Sequence, residues 1–157
     1  MSIVCAKMTA KRRAHAESLL NEFLRNDPHY LAASKVYGDK GEPALRRAIG
    51  LFLHRSELGF VWLAYLKNEP IAVCVVSYAI STSIGGIVAK LDDVFVRAKA
   101  QRQGIATQML RDLIRHLKAK KIRRLDTAVY KQNISAESFY GKLGFETLNE
   151  ERLALVL

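Results

Sequence analysis

The chain is poor in cysteine and proline: it holds two of the first and three of the second among 157 residues. Two cysteines, Cys5 and Cys74, are too few for a disulfide framework or a thiolate zinc site. Each lies in an apolar, strand-like run, where a free thiol acts as a small hydrophobe. The four histidines, His15, His29, His54 and His116, share no ligand spacing with one another or with the cysteines, so no metal is expected. With nine glycines besides, collagen-like and low-complexity architectures are excluded. Long hydrophobic runs are missing too. An unbroken apolar stretch such as Ile71–Val76 is six residues long, far short of the ~20 that span a bilayer. The N-terminus has no cationic segment leading into an apolar one, so no signal peptide is expected and the expected location is the cytoplasm.

What is present suits one folded domain over residues 1–157. Half the residues are hydrophobic and a quarter are charged, a balance that supports a packed core. The formal net charge of +10 is concentrated: Arg97 to Arg124 holds ten Lys or Arg and a single acid, Asp112. Such a run can be a solvated helix face, an attraction for an anionic ligand, or a nucleic-acid contact. No aromatics are interleaved with the cations and no nucleic-acid motif occurs, which argues against the third reading.

Periodicity predicts the elements. Ile3–Lys7 reads as a short strand. Ala14 to Leu24 sets Leu19, Leu20, Phe23 and Leu24 at helical spacing, and Asn26-Asp27-Pro28 ends that helix. A polar loop, Ser34–Gly41, leads to a second helix from about Pro43, with Leu45, Ala48, Ile49, Phe52 and Leu53 on one face. Phe60–Leu66 and Ile71–Ile80 form a hairpin around Lys67-Asn68-Glu69-Pro70, followed past Gly85-Gly86 by a strand Ile87–Val96. A helix to about Lys120 comes next, then a strand Leu125–Tyr130 and a short helix Ser135–Leu143 stopped by Gly144. Strands Phe145–Leu148 and Arg152–Leu157 are expected to close the chain. The sum is an α/β domain of the mixed, α+β kind: a mostly antiparallel central sheet flanked by about four helices.

Three segments carry chemistry. Gln101-Arg102-Gln103-Gly104-Ile105-Ala106-Thr107 lies between a strand and an amphipathic helix. Amides at a helix start point outward unpaired, and a glycine lets a phosphate approach them. The same spacing also fits an ordinary strand-to-helix turn. Asp92-Asp93 interrupts an apolar strand in which aspartate is a poor fit. In a regular strand the two face opposite sides, and a bulge would break that alternation. One of them could accept a proton from an amine, or merely pair with Lys90 or Arg97. In the third segment, Ala136, Phe139, Tyr140 and Leu143 make a core-facing helical stripe, with Asn133 and Ser135 as turn and cap residues.

Together these segments resemble the GNAT superfamily of N-acetyltransferases. Its phosphate motif, Arg/Gln-x-x-Gly-x-Gly/Ala, is matched by Gln101, Gly104 and Ala106. Its second motif, Asn-x-x-Ala-x-x-Phe-Tyr-x-x-x-Gly-Phe, is matched by Asn133, Ala136, Phe139, Tyr140, Gly144 and Phe145. Leu91-Asp92-Asp93-Val94-Phe95-Val96 is similar to the central strand of the family, and within it to that of the spermidine/spermine acetyltransferases. The likeness is good from Ile71 to Phe145; residues before about Gly59 carry no matching motif.

The resemblance implies a GNAT-like fold and acetyl-CoA as co-substrate. Backbone groups of the Val94-Phe95-Val96 strand would bond the pantetheine arm, and the amides of Arg102 to Thr107 the pyrophosphate. Asn133 would bond the arm, and Tyr140 would protonate the departing thiolate. Asp92 or Asp93, with Asp92 preferred from the polyamine-type likeness, would deprotonate an amine. Arg97, Lys99 and Arg102 would attract the anionic cofactor. A small primary amine is the expected acceptor, with a protein N-terminus or lysine as the alternative, and a non-catalytic CoA- or nucleic-acid-binding module as the non-enzyme reading. No membrane partner is expected; a homodimer through the C-terminal strands is.

Overall fold

A computed structural model describes residues 2–157. Five strands form one sheet whose spatial order, β1-β2-β3-β4-β5, follows the order in sequence. They are β1 (Val4–Lys7), β2 (Gly59–Leu66), β3 (Glu69–Ser81), β4 (Gly86–Val96) and β5 (Leu125–Thr127). The first three pairings are antiparallel, and β4 with β5 is parallel. Five helices cover the sheet: α1 (Arg13–Asn26), α2 (Pro28–Ala33), α3 (Gly41–His54), α4 (Ile105–Ala119) and α5 (Ile134–Lys142).

Both faces of the sheet are buried, which explains why β2 and β3 read as near-continuous apolar runs. Val61, Leu63, Val73 and Val75 pack under α1 and α3 with Ala16, Leu19, Leu20 and Ile49. Their neighbours Trp62, Ala64, Ala72, Cys74 and Val76 point the other way, against Ile105, Met109, Leu110, Leu113 and Leu117 of α4. The β2–β3 hairpin is tighter than its sequence suggests. Its turn is Lys67-Asn68 alone, with φ of 49° and 67°, the left-handed pair that joins two twisted strands. Pro70 falls inside β3, where the register slips between Ala64 and Tyr65 of β2, so its missing N–H disturbs no regular ladder. Gly59 opens β2 so close to β3 that a Cβ would stand 2.0 Å from the Val76 carbonyl oxygen.

Three expectations are corrected. The helix α2 is additional to the four expected. The Asp27-Pro28 pair that ends α1 also starts α2, because the Asp27 side chain accepts from the Tyr30 N–H at 2.7 Å and Pro28 occupies the first turn. The strand expected over Leu125–Tyr130 keeps only its first three residues. Segments 145–148 and 152–157 are not strands: they join no ladder, and Leu153, Leu155 and Leu157 are exposed. Their apolar alternation was a strand signal without a neighbour to pair with, since β5 is three residues long.

Candidate functional site

The site grows out of a defect in β4. Val75 of β3 stands opposite Asp92, and Val73 opposite Phe95, so Cys74 alone faces the two residues Asp93 and Val94. This is a β-bulge, and Asp93 takes a left-handed φ of 52° within it. The bulge bends β4 away from its parallel neighbour. Pairing with β5 stops at Leu91–Thr127, where the Thr127 hydroxyl donates to the Leu91 carbonyl at 3.0 Å. From Asp92 to Val96, β4 keeps β3 on one side and, among the described residues, has no strand on the other. The result is a cleft, floored by the bulge, with an open strand edge along one wall.

At the end of β4 the chain makes one 3₁₀ turn (Ala98–Ala100) and enters α4 through Gly104. Gly104 has φ 76°, and no side chain caps the helix. The first helical bond runs from Gln108 N–H to the Gly104 carbonyl, which leaves the amides of Ile105, Ala106 and Thr107 without helical partners. Nothing lies within 4 Å of the position a Gly104 Cβ would take. Glycine is therefore favoured here by its dihedral angle and not by lack of room. Unpaired donors and the helix dipole together make an anion cradle.

The glutamines of this loop do not point into the cradle. Gln101 Nε2 donates to the Val96 carbonyl at 2.8 Å and Gln103 Nε2 to the Lys99 carbonyl at 3.0 Å. They hold the loop against the end of β4. Of the three cations expected at the mouth, two are engaged elsewhere. Arg97 bonds Glu22 at 3.0 Å, Ser18 at 2.9 Å and the Pro70 carbonyl at 3.0 Å, tying α1 to the sheet. Lys99 pairs with Glu69. Arg102, with φ 61°, makes no ion pair among the described residues and stands two positions before Gly104. Further along the basic run, Arg115 pairs with Asp112 and Arg124 with Asp126. A cavity of about 530 Å³ between α4 and α5 is lined by Arg111, Ile114, Arg115, Lys142 and Leu143.

The opposite wall carries α5. Asn133 caps it: its side-chain oxygen accepts from the Ala136 N–H and the Ser135 hydroxyl, both at 3.2 Å, so the Asn133 amide nitrogen alone remains for a ligand. Tyr140 packs edge-on against Phe139 and Phe145, with ring centres 5.1 and 5.3 Å away. Burial pushes its phenol up to about 12, against a smaller opposite pull from the Thr127 hydroxyl. Tyr140 is thus a protonated donor at neutral pH.

The two aspartates differ in kind. Asp92 is ion-paired, its Oδ2 3.2 Å from Lys90 Nζ. Asp93 has no cation partner among the described residues. Burial, reinforced by the neighbouring charges of Asp92 and Asp27, raises its carboxyl from 3.8 to about 6. Of the two, Asp93 has the affinity for protons that a base working near neutrality needs.

One wall of the site had no motif to announce it. Phe23 of α1 packs between Phe95 of β4 (6.1 Å) and Tyr30 of α2 (5.9 Å). His29 of α2 stacks on Tyr130, beyond β5, with centres 5.4 Å apart. The short helix α2 therefore reaches from the β4 side of the cleft to the β5 side. The signal available in sequence is only a cluster of rings, His29, Tyr30 and Tyr37, of which Tyr37 alone lies in the expected loop Ser34–Gly41.

The model of the Acetyltransferase (GNAT) family matches residues 14–145. No curated protein matches the chain in sequence. Solved structures share its fold at low identity. An integron cassette protein from the mobile metagenome of Cole Harbour Salt Marsh superposes with a TM-score of 0.79 at 21% identity, covering 98% of this chain and 90% of that one. A predicted acetyltransferase from Clostridium acetobutylicum, with acetyl-CoA, gives 0.73 at 19% identity over 96% and 94%. AAC(6')-Iy, in complex with the bisubstrate analogue CoA-S-monomethyl-acetylneamine, gives 0.72 at 18% over 100% and 98%. Among the described residues no helix is long and apolar enough to cross a membrane, and no group of His, Cys, Asp and Glu could hold a metal ion.

Proposed function

The chain belongs to the GNAT family of acetyltransferases, and from that premise we propose that it moves an acetyl group from acetyl-CoA to the primary amine of a small molecule. The observation that carries this reading is the continuity of the open β4 edge with the uncapped start of α4. That is the shape of acetyl-CoA: an amide-bearing arm ending in a pyrophosphate. The co-substrate supplies an activated acyl thioester; the rest is work for the chain.

Each residue then has a task. The N–H groups of Ile105, Ala106 and Thr107, with Arg102 beside them, bind the pyrophosphate. Gln101, Gln103 and Gly104 fix the loop that presents those amides. The backbone groups of Val94 and Val96, on either side of Phe95, pair with the pantetheine amides as an added strand would. The Asn133 amide nitrogen donates to the same arm. A backbone N–H near Val94 polarises the thioester carbonyl.

Asp93, rather than the ion-paired Asp92, takes a proton from the incoming ammonium. The freed amine attacks, the C–N bond forms and the C–S bond breaks. Tyr140 donates its phenolic proton to the departing sulfur and recovers one from the new amide nitrogen. The products are the N-acetylated amine, CoA thiol and the one proton that Asp93 returns to water.

Calorimetric titration with acetyl-CoA tests the first half of this reading. One-to-one binding is expected, and Gly104→Glu, which sets a carboxylate in front of the amides, should abolish it. Thiol release that depends on an added amine tests the second half. Folded protein that binds no acetyl-CoA would overturn the proposal.

A further inference from the structure

The aromatic wall beside the cleft is built differently from the amide cradle, and its construction points to the other substrate. Four rings run in sequence along it. Tyr30 and Tyr37 stack with centres 6.1 Å apart and planes 11° from parallel. The Tyr130 hydroxyl donates to that of Tyr37 at 3.0 Å, and Tyr130 stacks on His29 with planes 18° apart. The wall begins at Phe95, two residues past the bulge, through the Phe23–Tyr30 contact. It ends beyond β5. It therefore flanks the place where an acceptor must sit to reach Asp93.

The carboxylates on this wall are more than the backbone needs. Asp27 caps α2, and Asp39 accepts from the Gly41 N–H at 2.8 Å. Asparagine would serve both roles as well without charge. Yet both positions are acidic, and with Asp93 they make three carboxylates that form no ion pair among the described residues. Every acid of the β4 to α4 region other than Asp93 is paired: Asp92 with Lys90 and Asp112 with Arg115. The chain itself sets one cation on the wall, the Arg152 guanidinium 5.6 Å from the Tyr37 ring centre, as a ring face favours. The acids share one field. Burial pushes the Tyr30 phenol up to about 12, and Asp39 and Asp93 both add to that rise.

We infer that the acceptor is a small cationic amine bearing no carboxylate, its apolar or aromatic body laid along the His29–Tyr130–Tyr37–Tyr30 wall and its ammonium drawn by Asp27, Asp39 and Asp93. This rests on the transferase reading and narrows its substrate class. A protein carrying +10 overall repels cations at long range. Asp27, Asp39 and Asp93 outnumber the one guanidinium on the wall, Arg152, and so draw a cation locally where the amine enters. An α-carboxylate on the acceptor would meet the same acids and be rejected, so free amino acids are excluded while their decarboxylated amines are admitted.

Three probes of one shape test it: tyramine, tyrosine and tyrosinamide, each with saturating acetyl-CoA and thiol release as readout. Tyramine and tyrosinamide are expected to exceed tyrosine at least tenfold in kcat/KM. Asp39→Asn, which keeps the oxygen that bonds Gly41, should raise the KM for tyramine several-fold with little change in kcat, and should narrow the tyramine-to-tyrosine ratio. Its affinity for acetyl-CoA should stay at the wild-type value, which a folding defect would not allow. Tyrosine accepted as well as tyramine would overturn the inference and leave the transferase reading standing. Tyrosinamide rejected along with tyrosine would also overturn it, since size and not charge would then decide. Acetyl-CoA bound but no thiol released with any of the three would remove the transfer reading and this inference together.

Discussion

Replacing Asp93 by asparagine should make the protein more stable, and only above a definite pH. In the fold its carboxyl sits near 6 instead of 3.8, because burial and the nearby Asp92 and Asp27 disfavour the charge more than Lys90 supports it. At ~1.36 kcal/mol per tenfold change in proton affinity, ionising it in place costs roughly 3 kcal/mol relative to the unfolded chain. The sign follows from proton counting. Between about pH 4 and 6 the folded state holds a proton that the unfolded state has released, so stability falls as pH rises through that window and is flat above it. Asparagine mimics the protonated acid in shape and tolerates the left-handed φ of 52° at this position. Wild type and Asp93→Asn should therefore unfold alike near pH 4. By pH 7.5 the variant should be ahead by roughly 2–3 kcal/mol, about 5–10 °C in Tm for a chain of this length. Urea unfolding of ligand-free protein across pH 4–8 measures the difference directly. A gap that does not change with pH, or a variant weaker at pH 7.5, would refute the reasoning. The same carboxylate links stability to catalysis. As a base it must be ionised, so kcat/KM for wild type should climb through about pH 6, and the variant should lose that limb along with most of its rate.

Two further substitutions separate tasks within the site. Tyr140→Phe keeps the ring between Phe139 and Phe145 but removes the donor. Steady-state thiol release should show kcat down by ~10²-fold or more while the calorimetric affinity for acetyl-CoA is nearly unchanged. Arg97→Ala removes three hydrogen bonds, two to α1 at Glu22 and Ser18 and one to the Pro70 carbonyl of β3, and should cost roughly 2 kcal/mol in chemical denaturation. Its acetyl-CoA affinity should hold, and a large loss there would return Arg97 to the role of phosphate ligand.

The parts of the fold legible in the sequence are those where local chemistry and packing agree. Lys67-Asn68 between two apolar runs announces the hairpin, and Gly104 ahead of an amphipathic stretch announces the start of α4. The doublet Asp92-Asp93 signalled that something breaks the strand, and the bulge is that break. Less legible was its consequence: by bending β4 it deprives residues beyond Thr127 of a partner, so the strand expected through Tyr130 ends early. The C-terminal alternation of Leu153, Leu155 and Leu157 misled for the same reason, since a period of two identifies a chain that could pair but not whether anything waits beside it. Arg97 and Lys99 read as ligand cations in the sequence because charge is visible there, whereas partners 27 to 79 residues away, Pro70, Glu69, Glu22 and Ser18, are not. The ring wall escaped because stacking between α2 and the loop after β5 joins residues 101 apart, His29 and Tyr130.

The agreement between strand order and sequence order also governs how the molecule comes into being. As the chain leaves the ribosome, β1 through β4 emerge as a meander whose neighbours are nearly all consecutive, with α1 and α3 already available for one face. That half can close its core early. The other face, with Trp62, Cys74 and Val76, must wait for α4 to be synthesised, and until then it is an apolar surface open to chaperones or to other nascent chains. The amides of α4 and the phenol of Tyr140 are synthesised only after the β1–β4 meander. A chain arrested before Gly104 thus presents an apolar sheet face with neither the α4 amides nor the Tyr140 phenol beside it.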